Sequence, residues 1–266
     1  MKRFCCALAV LVLSAHSLAD PLDHGDLVTF ATRDAVTQSI FVESPSSSPA
    51  WVVVLFGGTP GALHLDTSGA TTLKGNFLIR SAHHWIDRGD AVVLVDTPSD
   101  HVEGVDDLFR RSKKSFADTQ AIVAKVRERF PTSKIALVGT SAGTVSVGNA
   151  LERDAGIADA FVLTSPVTVS RKGGGANISD LDVDGNTHRV LVVSNKNDQC
   201  VSSPAYAGKR LAERNHYAYV EVGSTEGEGD VATRCGGHSP HGFLGIETEV
   251  IGDVQGWLEG QPSLAK

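Results

Sequence analysis

Ser141 stands in the run Gly139-Thr140-Ser141-Ala142-Gly143, between an apolar stretch, Lys134 to Val138, and a helix-forming stretch that continues to about Leu151. Glycines two before and two after a serine let a chain turn sharply from strand to helix with no Cβ in the way. The hydroxyl is then thrust out above a helix N-terminus. The pattern alone is weak, and its plain alternative is a glycine-rich turn with a capping serine. A hydroxyl becomes a nucleophile when a neighbouring imidazole takes its proton, and the imidazole needs a carboxylate to hold it. An acid and then a histidine are therefore expected further along the chain, each after a strand.

Both occur in that order. Asp198 lies in Asn195-Lys196-Asn197-Asp198-Gln199-Cys200, after the apolar run Val190 to Ser194. His241 lies in His238-Ser239-Pro240-His241-Gly242-Phe243, after the run His216 to Val222 and before the last helical stretch. His241 is the preferred base because it is nearest the closing helix and Gly242 frees the backbone to aim the ring; His238 is the alternative. His216 reads as the start of a strand, and His83 and His84 as surface or packing residues of a helix. Asp96 and Asp100, after Ala91 to Val95, compete with Asp198, and Asp96 sits where some folds of this type place the acid. Asp180, Asp182 and Asp184 read as solvated loop charges. The loop Gly57-Gly58-Thr59-Pro60-Gly61, after Trp51 to Phe56, could set the N-H of Gly58 or Thr59 beside that of Ala142, where negative charge develops on an acyl oxygen. Pro60 has no N-H to offer, and a plain turn is the alternative.

The elements that must position these residues alternate. Leu27 to Ala31 and Gln38 to Glu43 suit an antiparallel start. Trp51 to Phe56, Ala91 to Val95, Lys134 to Val138, Asp159 to Leu163 and Val190 to Ser194 are short, apolar and without polar alternation, as strands buried on both faces of a parallel sheet are. Between them run helical stripes: Phe77, Leu78, Ala82, Trp85 and Ile86; then Phe116, Ile122, Val123, Val126 and Phe130; last Ile246, Val250, Val254, Trp257 and Leu258. Pro204 opens a further helix through Arg214. This order predicts an α/β fold: one mostly parallel central sheet flanked by helices, with its chemistry at the carboxyl ends of the strands.

Composition bounds the rest. A chain of 266 residues, 41% hydrophobic and 21% charged, suits one large domain. A net charge of -7 argues against a nucleic-acid partner, and the basic runs Arg110 to Lys114 and Arg171-Lys172 read as solvated faces. Lys2 and Arg3, the apolar run Phe4 to Leu13 and the small residues before Asp20 form a secretory signal pattern, with cleavage expected after Ala19. A buried N-terminal helix is the alternative. Residues 1–19 are thus expected to leave and residues 20–266 to form a single exported domain, periplasmic or secreted, with no stable membrane anchor. Cleavage takes the charge to -9 and removes Cys5 and Cys6, leaving Cys200 and Cys235 of the original 4 cysteines. An even pair in an exported protein is expected to bridge. That bridge would tie the acid loop to the histidine loop, or would stabilise without any part in chemistry.

On these residues the chain resembles the α/β-hydrolase family over nearly the whole of 20–266. The resemblance rests on Gly139-Thr140-Ser141-Ala142-Gly143, the Gly57-Gly58 loop, Asp198 and His241. More narrowly, Asn-Phe-Leu-Ile-Arg-Ser (76–81), Val-Asp-Thr-Pro-Ser-Asp (95–100), Gly-Thr-Ser-Ala-Gly-Thr (139–144) and Pro-His-Gly-Phe (240–243) are similar to a group of exported bacterial α/β hydrolases of poorly defined substrate. The resemblance implies an esterase-type serine hydrolase acting on a small-molecule acyl substrate, with Ser141, His241 and Asp198 as a triad and no metal or organic cofactor. Phe56 stands where many members carry His before the glycines, which leaves Gly58 and Thr59 both open as first oxyanion donor. Serine at 141 separates the chain from relatives with Asp or Cys nucleophiles, so dehalogenase and dienelactone chemistry are not expected. About two dozen residues between Leu163 and Val190 are too few for a large helical cap, so a loop-lined, open site is expected. A base must be neutral, so activity is expected to fall below about pH 6 to 7. A peptidase or acyltransferase using the same triad is the second enzymatic reading, and a non-catalytic exported binding protein is the reading from another class.

Overall fold

The computed structural model describes residue 22 and residues 24–170, 175–229 and 232–260. The expected signal over 1–19 and the pair Arg171-Lys172 lie outside the described residues. Eight strands form the central sheet: β1 (Asp26–Arg33), β2 (Val36–Glu43), β3 (Trp51–Phe56), β4 (Ala91–Val95), β5 (Lys134–Thr140), β6 (Ala160–Thr164), β7 (Val190–Asn195) and β8 (Ala218–Val222). Their order across the sheet is β1-β2-β4-β3-β5-β6-β7-β8. β1 and β2 pair antiparallel, β2 runs antiparallel to β4, and the remaining pairs are parallel.

The helices are α1 (Phe77–Arg80), α2 (His83–Ile86), α3 (Asp107–Arg110), α4 (Lys113–Arg129), α5 (Gly143–Arg153), α6 (Ala205–Asn215) and α7 (Glu247–Leu258). Alternation along each strand sends side chains to opposite faces, and here both faces are covered. Val52, Val54 and Phe56 join an apolar cluster with Ile122, Val145 and Leu211 of α4, α5 and α6. Trp51, Val53 and Leu55 join a second cluster with Leu78, Trp85 and Val254 of α1, α2 and α7. Two-sided burial is why the central strands carry no polar alternation. Among the described residues, no helix or strand lies between β6 and β7, so no helical cap rises over the sheet there. No described helix is long and apolar enough to cross a membrane.

Strand register carries the site. Phe56 pairs with Gly139, Thr140 with Thr164, Thr164 with Val193, and Asn195 with Val222. The carboxyl ends of β3, β5, β6, β7 and β8 therefore finish along one edge, and the loops that follow them meet there.

Several elements differ from their sequence expectation. The stripe from Phe77 to Ile86 is two short helices, because the Ser81 hydroxyl turns back onto the Phe77 carbonyl and caps α1. β8 begins at Ala218; His216 is instead the left-handed cap of α6, at φ 58°. α3 and the ribbon of Leu65–Asp66 with Gly69–Ala70 have too few residues to show a period. The run from Arg110 is no solvated face throughout: Lys113 and Lys114 are exposed, but Arg110 is buried at 3% exposure.

Asp90 is a charge on the wrong side of its environment. Buried at the entry to β4, it accepts a hydrogen bond from Gln255 of α7 at 2.9 Å, and burial pushes its carboxyl up to about 6. A folded-state value above the unfolded one means that its contribution to stability is fully present below about pH 4 and is lost as the pH rises through 6. Asp90→Asn keeps an acceptor for Gln255 and is expected to raise the melting temperature at pH 8. The gain should vanish near pH 4, as followed by thermal denaturation.

Candidate active site

Ser141 follows the last residue of β5 at φ 52°, a left-handed conformation that a residue with a Cβ adopts at a cost of about 1–2 kcal/mol. Its backbone is held on both sides. The Ser141 N-H donates to Thr164 at 3.0 Å, and its carbonyl accepts from the N-H and hydroxyl of Thr144 at 2.9 and 2.6 Å. The flanking glycines serve close approach, since neither has a left-handed φ. A Cβ on Gly139 would lie 2.6 Å from the Gly143 carbonyl oxygen, and one on Gly143 would collide with that of Phe56. β3, β5 and α5 can meet at the turn only with both side chains missing.

Asp198 and His241 meet across the edge. His241 Nδ1 is 2.8 Å from Asp198 Oδ2, with the two side chains 3% and 1% exposed. The other carboxylate oxygen accepts the Cys200 N-H at 2.8 Å. A ring nitrogen this close to a carboxylate donates, so Nδ1 carries the proton and Nε2 offers its lone pair. Nε2 is buried, has no hydrogen-bond partner among the described residues, and lies on a ring that lines the same cavity as Ser141. The competing groups are engaged elsewhere. Asp96 accepts the backbone N-H groups of Leu63, Leu65 and Thr97, Asp100 pairs with Arg33, Asp180 with Arg111, and Asp184 with His216. His238 is exposed and lines the cavity, its Nε2 packed over Gly75.

The histidine turn is held through three consecutive carbonyls. Pro240 accepts from Asn195 Nδ2 at 2.9 Å, His241 from the Ser165 hydroxyl at 2.7 Å, and Gly242 from Arg80 Nη2 at 2.6 Å. Asn195, Ser165 and Arg80 are buried and belong to the end of β7, the turn after β6, and α1. Arg80 also pairs with Glu247 of α7 and donates to Gly75, and burial holds its guanidinium below the usual arginine range. Phe243 is buried against Phe77, ring centroids 4.8 Å apart. Gly242 gives the backbone no left-handed freedom, contrary to the sequence expectation. Its missing Cβ lets the loop fold back onto the Gly237 carbonyl. Cys200 and Cys235 are bridged, and Cys235 lines the cavity. Chain entropy for such a loop is on the order of 4 kcal/mol.

The loop after β3 contains a cis Thr59-Pro60 bond, and its orientation depends on Arg110. Arg110 donates to the Gly58 carbonyl at 3.2 Å and to the Ser146 hydroxyl at 3.1 Å, while burial pushes its guanidinium down to about 10. A trans peptide sets its C=O and N-H in opposite directions, so with the Gly58 carbonyl turned to Arg110 the Thr59 N-H faces away from it. Thr59 and Gly58 line the cavity with Ser141, and Ala142 opens α5, where the first N-H groups have no helical acceptor. The cavity has a volume of about 390 Å3, and much of its wall is glycine: 58, 75, 236, 237 and 242. Its size suits a small organic ligand. His83, His84 and Asp87 form the one trio among the described residues whose ligand atoms, within 4.8 Å of one another, could hold a metal ion; none of them lines this cavity.

Sequence reasoning gave Asn195, Ser165, Arg80 and Arg110 no part in the site. The signal for Asn195 and Ser165 is a polar residue directly after an apolar strand, which marks the right edge but names no partner. No known family profile and no curated protein matches the chain by sequence. Solved structures match by shape. A lidless α/β serine hydrolase from Xanthomonas campestris is similar at a TM-score of 0.60 and 17% identity, covering 91% of this chain and 100% of its own. Est1E from Butyrivibrio proteoclasticus is similar at 0.59 and 16%, covering 88% and 98%. An esterase from Pyrococcus furiosus is similar at 0.61 and 15%, covering 90% and 92%. The chain has the α/β-hydrolase fold, with no large cap among the described residues.

Arg110 offers a way to separate orientation from stability. Arg110 has no ion pair among the described residues, only the nearby charges of Asp106 and Asp107, so its burial costs desolvation, and replacing such a cation with an apolar side chain of similar length is often neutral or stabilising. Arg110→Met is expected to keep or raise the melting temperature. It should slow modification of Ser141 by a fluorophosphonate at least about tenfold, because the Gly58 carbonyl loses its anchor. Rapid-quench labelling with mass spectrometry reads the rate.

Proposed function

We propose that the protein is a serine hydrolase that cleaves carboxylic esters of small molecules through an acyl-enzyme. The observation that carries this reading is the buried 2.8 Å bond between Asp198 and His241, with the unpartnered Nε2 of that ring and the strained Ser141 on one cavity. The similarity in shape to esterases and serine hydrolases supports it.

In this reading the Ser141 hydroxyl attacks the ester carbonyl carbon and its proton passes to His241 Nε2. The carbonyl oxygen becomes an oxyanion and accepts from the N-H of Ala142 and, given the turn of the Gly58 peptide, from that of Thr59. Collapse breaks the bond to the alcohol oxygen, which takes the proton from Nε2. A water then gives its proton to Nε2 and attacks the acyl carbon, and the carboxylic acid leaves as Ser141 recovers its proton. Asp198 holds Nδ1-H throughout and stabilises the imidazolium. Among the described residues no helical cap covers the site above the sheet edge. The reading includes export, and the bridge between Cys200 and Cys235 suits it, since such bonds persist in oxidising compartments.

A fluorophosphonate is expected to modify Ser141 of the folded protein and nothing in Ser141→Ala. Asp198→Asn should retain the fold and lose about 10^3 to 10^4 in kcat on p-nitrophenyl acetate, because the ring no longer holds the required tautomer. Folded protein that no probe modifies and that hydrolyses no ester would favour a binding protein on the same fold.

A further inference from the structure

Asn76 is a residue of the cavity wall whose chemistry the proposed reaction leaves unused. It is the N-cap of α1, and its Oδ1 accepts the Leu78 N-H at 3.1 Å. That bond fixes which end of the amide is which, so the end facing the cavity is Nδ2, a donor. Among the described residues Nδ2 has no hydrogen-bond partner, and Asn76 lines the cavity with Ser141 and His241.

Gly58 locates that donor relative to the nucleophile. A Cβ built on Gly58 would stand 3.2 Å from Asn76 Nδ2 and 3.4 Å from the Ser141 Cβ. Gly58 has no left-handed φ, so its backbone does not require glycine. What the missing side chain does is keep open a space one atom wide, with a side-chain donor on one side and the nucleophile's carbon on the other. Resting on the hydrolase reading above, we infer that this space takes the carbonyl oxygen of the substrate and that Asn76 Nδ2 is a side-chain donor to the oxyanion, beside the backbone donors Ala142 and Thr59. Phe77, the next residue, packs its ring at a tilt against Phe243, two residues beyond His241, so the donor and the base are fixed to one aromatic contact. A donor held in this way adds most when charge develops on the oxygen and little when the neutral ester binds.

The capping role of Asn76 is separable. Serine and aspartate both cap helices by accepting the same N-H, and neither can donate from the position of Nδ2. In Asn76→Ser, kcat for p-nitrophenyl acetate is expected to fall about 100-fold or more, with KM changed less than about threefold and the melting temperature kept. Asn76→Asp, which sets a carboxylate against the oxyanion, should fall further. Gly58→Ala, which fills the space from the opposite wall, should lose kcat to a similar extent whether or not the α1 variants fold well. Activity within about threefold of the parent in the serine and aspartate variants, or a rise in KM at unchanged kcat, would overturn the inference while a fluorophosphonate still modified Ser141. Failure of the probe to modify Ser141 in the parent protein would overturn the hydrolase reading and this inference together.

Discussion

A carboxylate at 1% exposure and an imidazole at 3%, 43 residues apart in sequence, share one hydrogen bond of 2.8 Å. Burying the carboxylate costs several kcal/mol, and one hydrogen bond to a charged group contributes about 1.5–3 kcal/mol net. The bond alone does not offset the burial. The second carboxylate oxygen finds the Cys200 N-H, and the bridge from Cys200 to Cys235 contributes on the order of 4 kcal/mol by limiting the unfolded chain. The acid is thus buried at a position that the covalent framework already constrains.

The imidazole side is held by the three carbonyls of Pro240, His241 and Gly242, each fixed by a buried side chain from a different element. An 180° choice of peptide plane at any of them would re-aim the ring, and three anchors leave no such choice. Asn195 acts twice, since its Nδ2 also donates to the Ser224 carbonyl at 3.0 Å and so joins the loops after β7 and β8. The strain at Ser141 is of similar size to the backbone hydrogen bonds that oppose it, about 1 kcal/mol each, so the turn is held by its neighbours and not by its own preference. Register does the rest: pairing Thr140 with Thr164 sets Ser141 beside Ser165, and Ser165 holds the histidine.

Much of this is legible in the amino-acid sequence. Unbroken apolar runs gave away strands covered on both faces, and the serine, acid and histidine stood in loops after three of them. Asp198 was preferred to Asp96 in sequence, although an acid after β4 and an acid after β7 look alike there; the contacts add that Asp96 is turned to the N-H groups of its own neighbourhood. His241, preferred in sequence for the backbone freedom of Gly242, is the histidine that Asp198 holds, but that freedom is not what the turn uses. Gly242 matters through what its Cβ would strike. Arg110 was misread because a run of basic residues is usually solvated, and nothing local distinguishes the one that turns inward to the Gly58 carbonyl. The stripe from Phe77 to Ile86 was legible as helix but its division into α1 and α2 was not, and α3 stayed hidden, since one turn is too brief for a period. Asn76 shows the same limit: capping residues are readable from sequence, but the free end of the amide is a tertiary fact.

The central claim is that Ser141 carries the acyl group in the course of turnover. Acid quenching of the protein during hydrolysis of p-nitrophenyl acetate, followed by peptide mass spectrometry, tests it most directly. The account predicts an acetyl group on the peptide containing Ser141, formed in step with the first release of nitrophenolate and absent from His241→Ala. Steady hydrolysis with that peptide unmodified, or with the acetyl group on another residue, would contradict it.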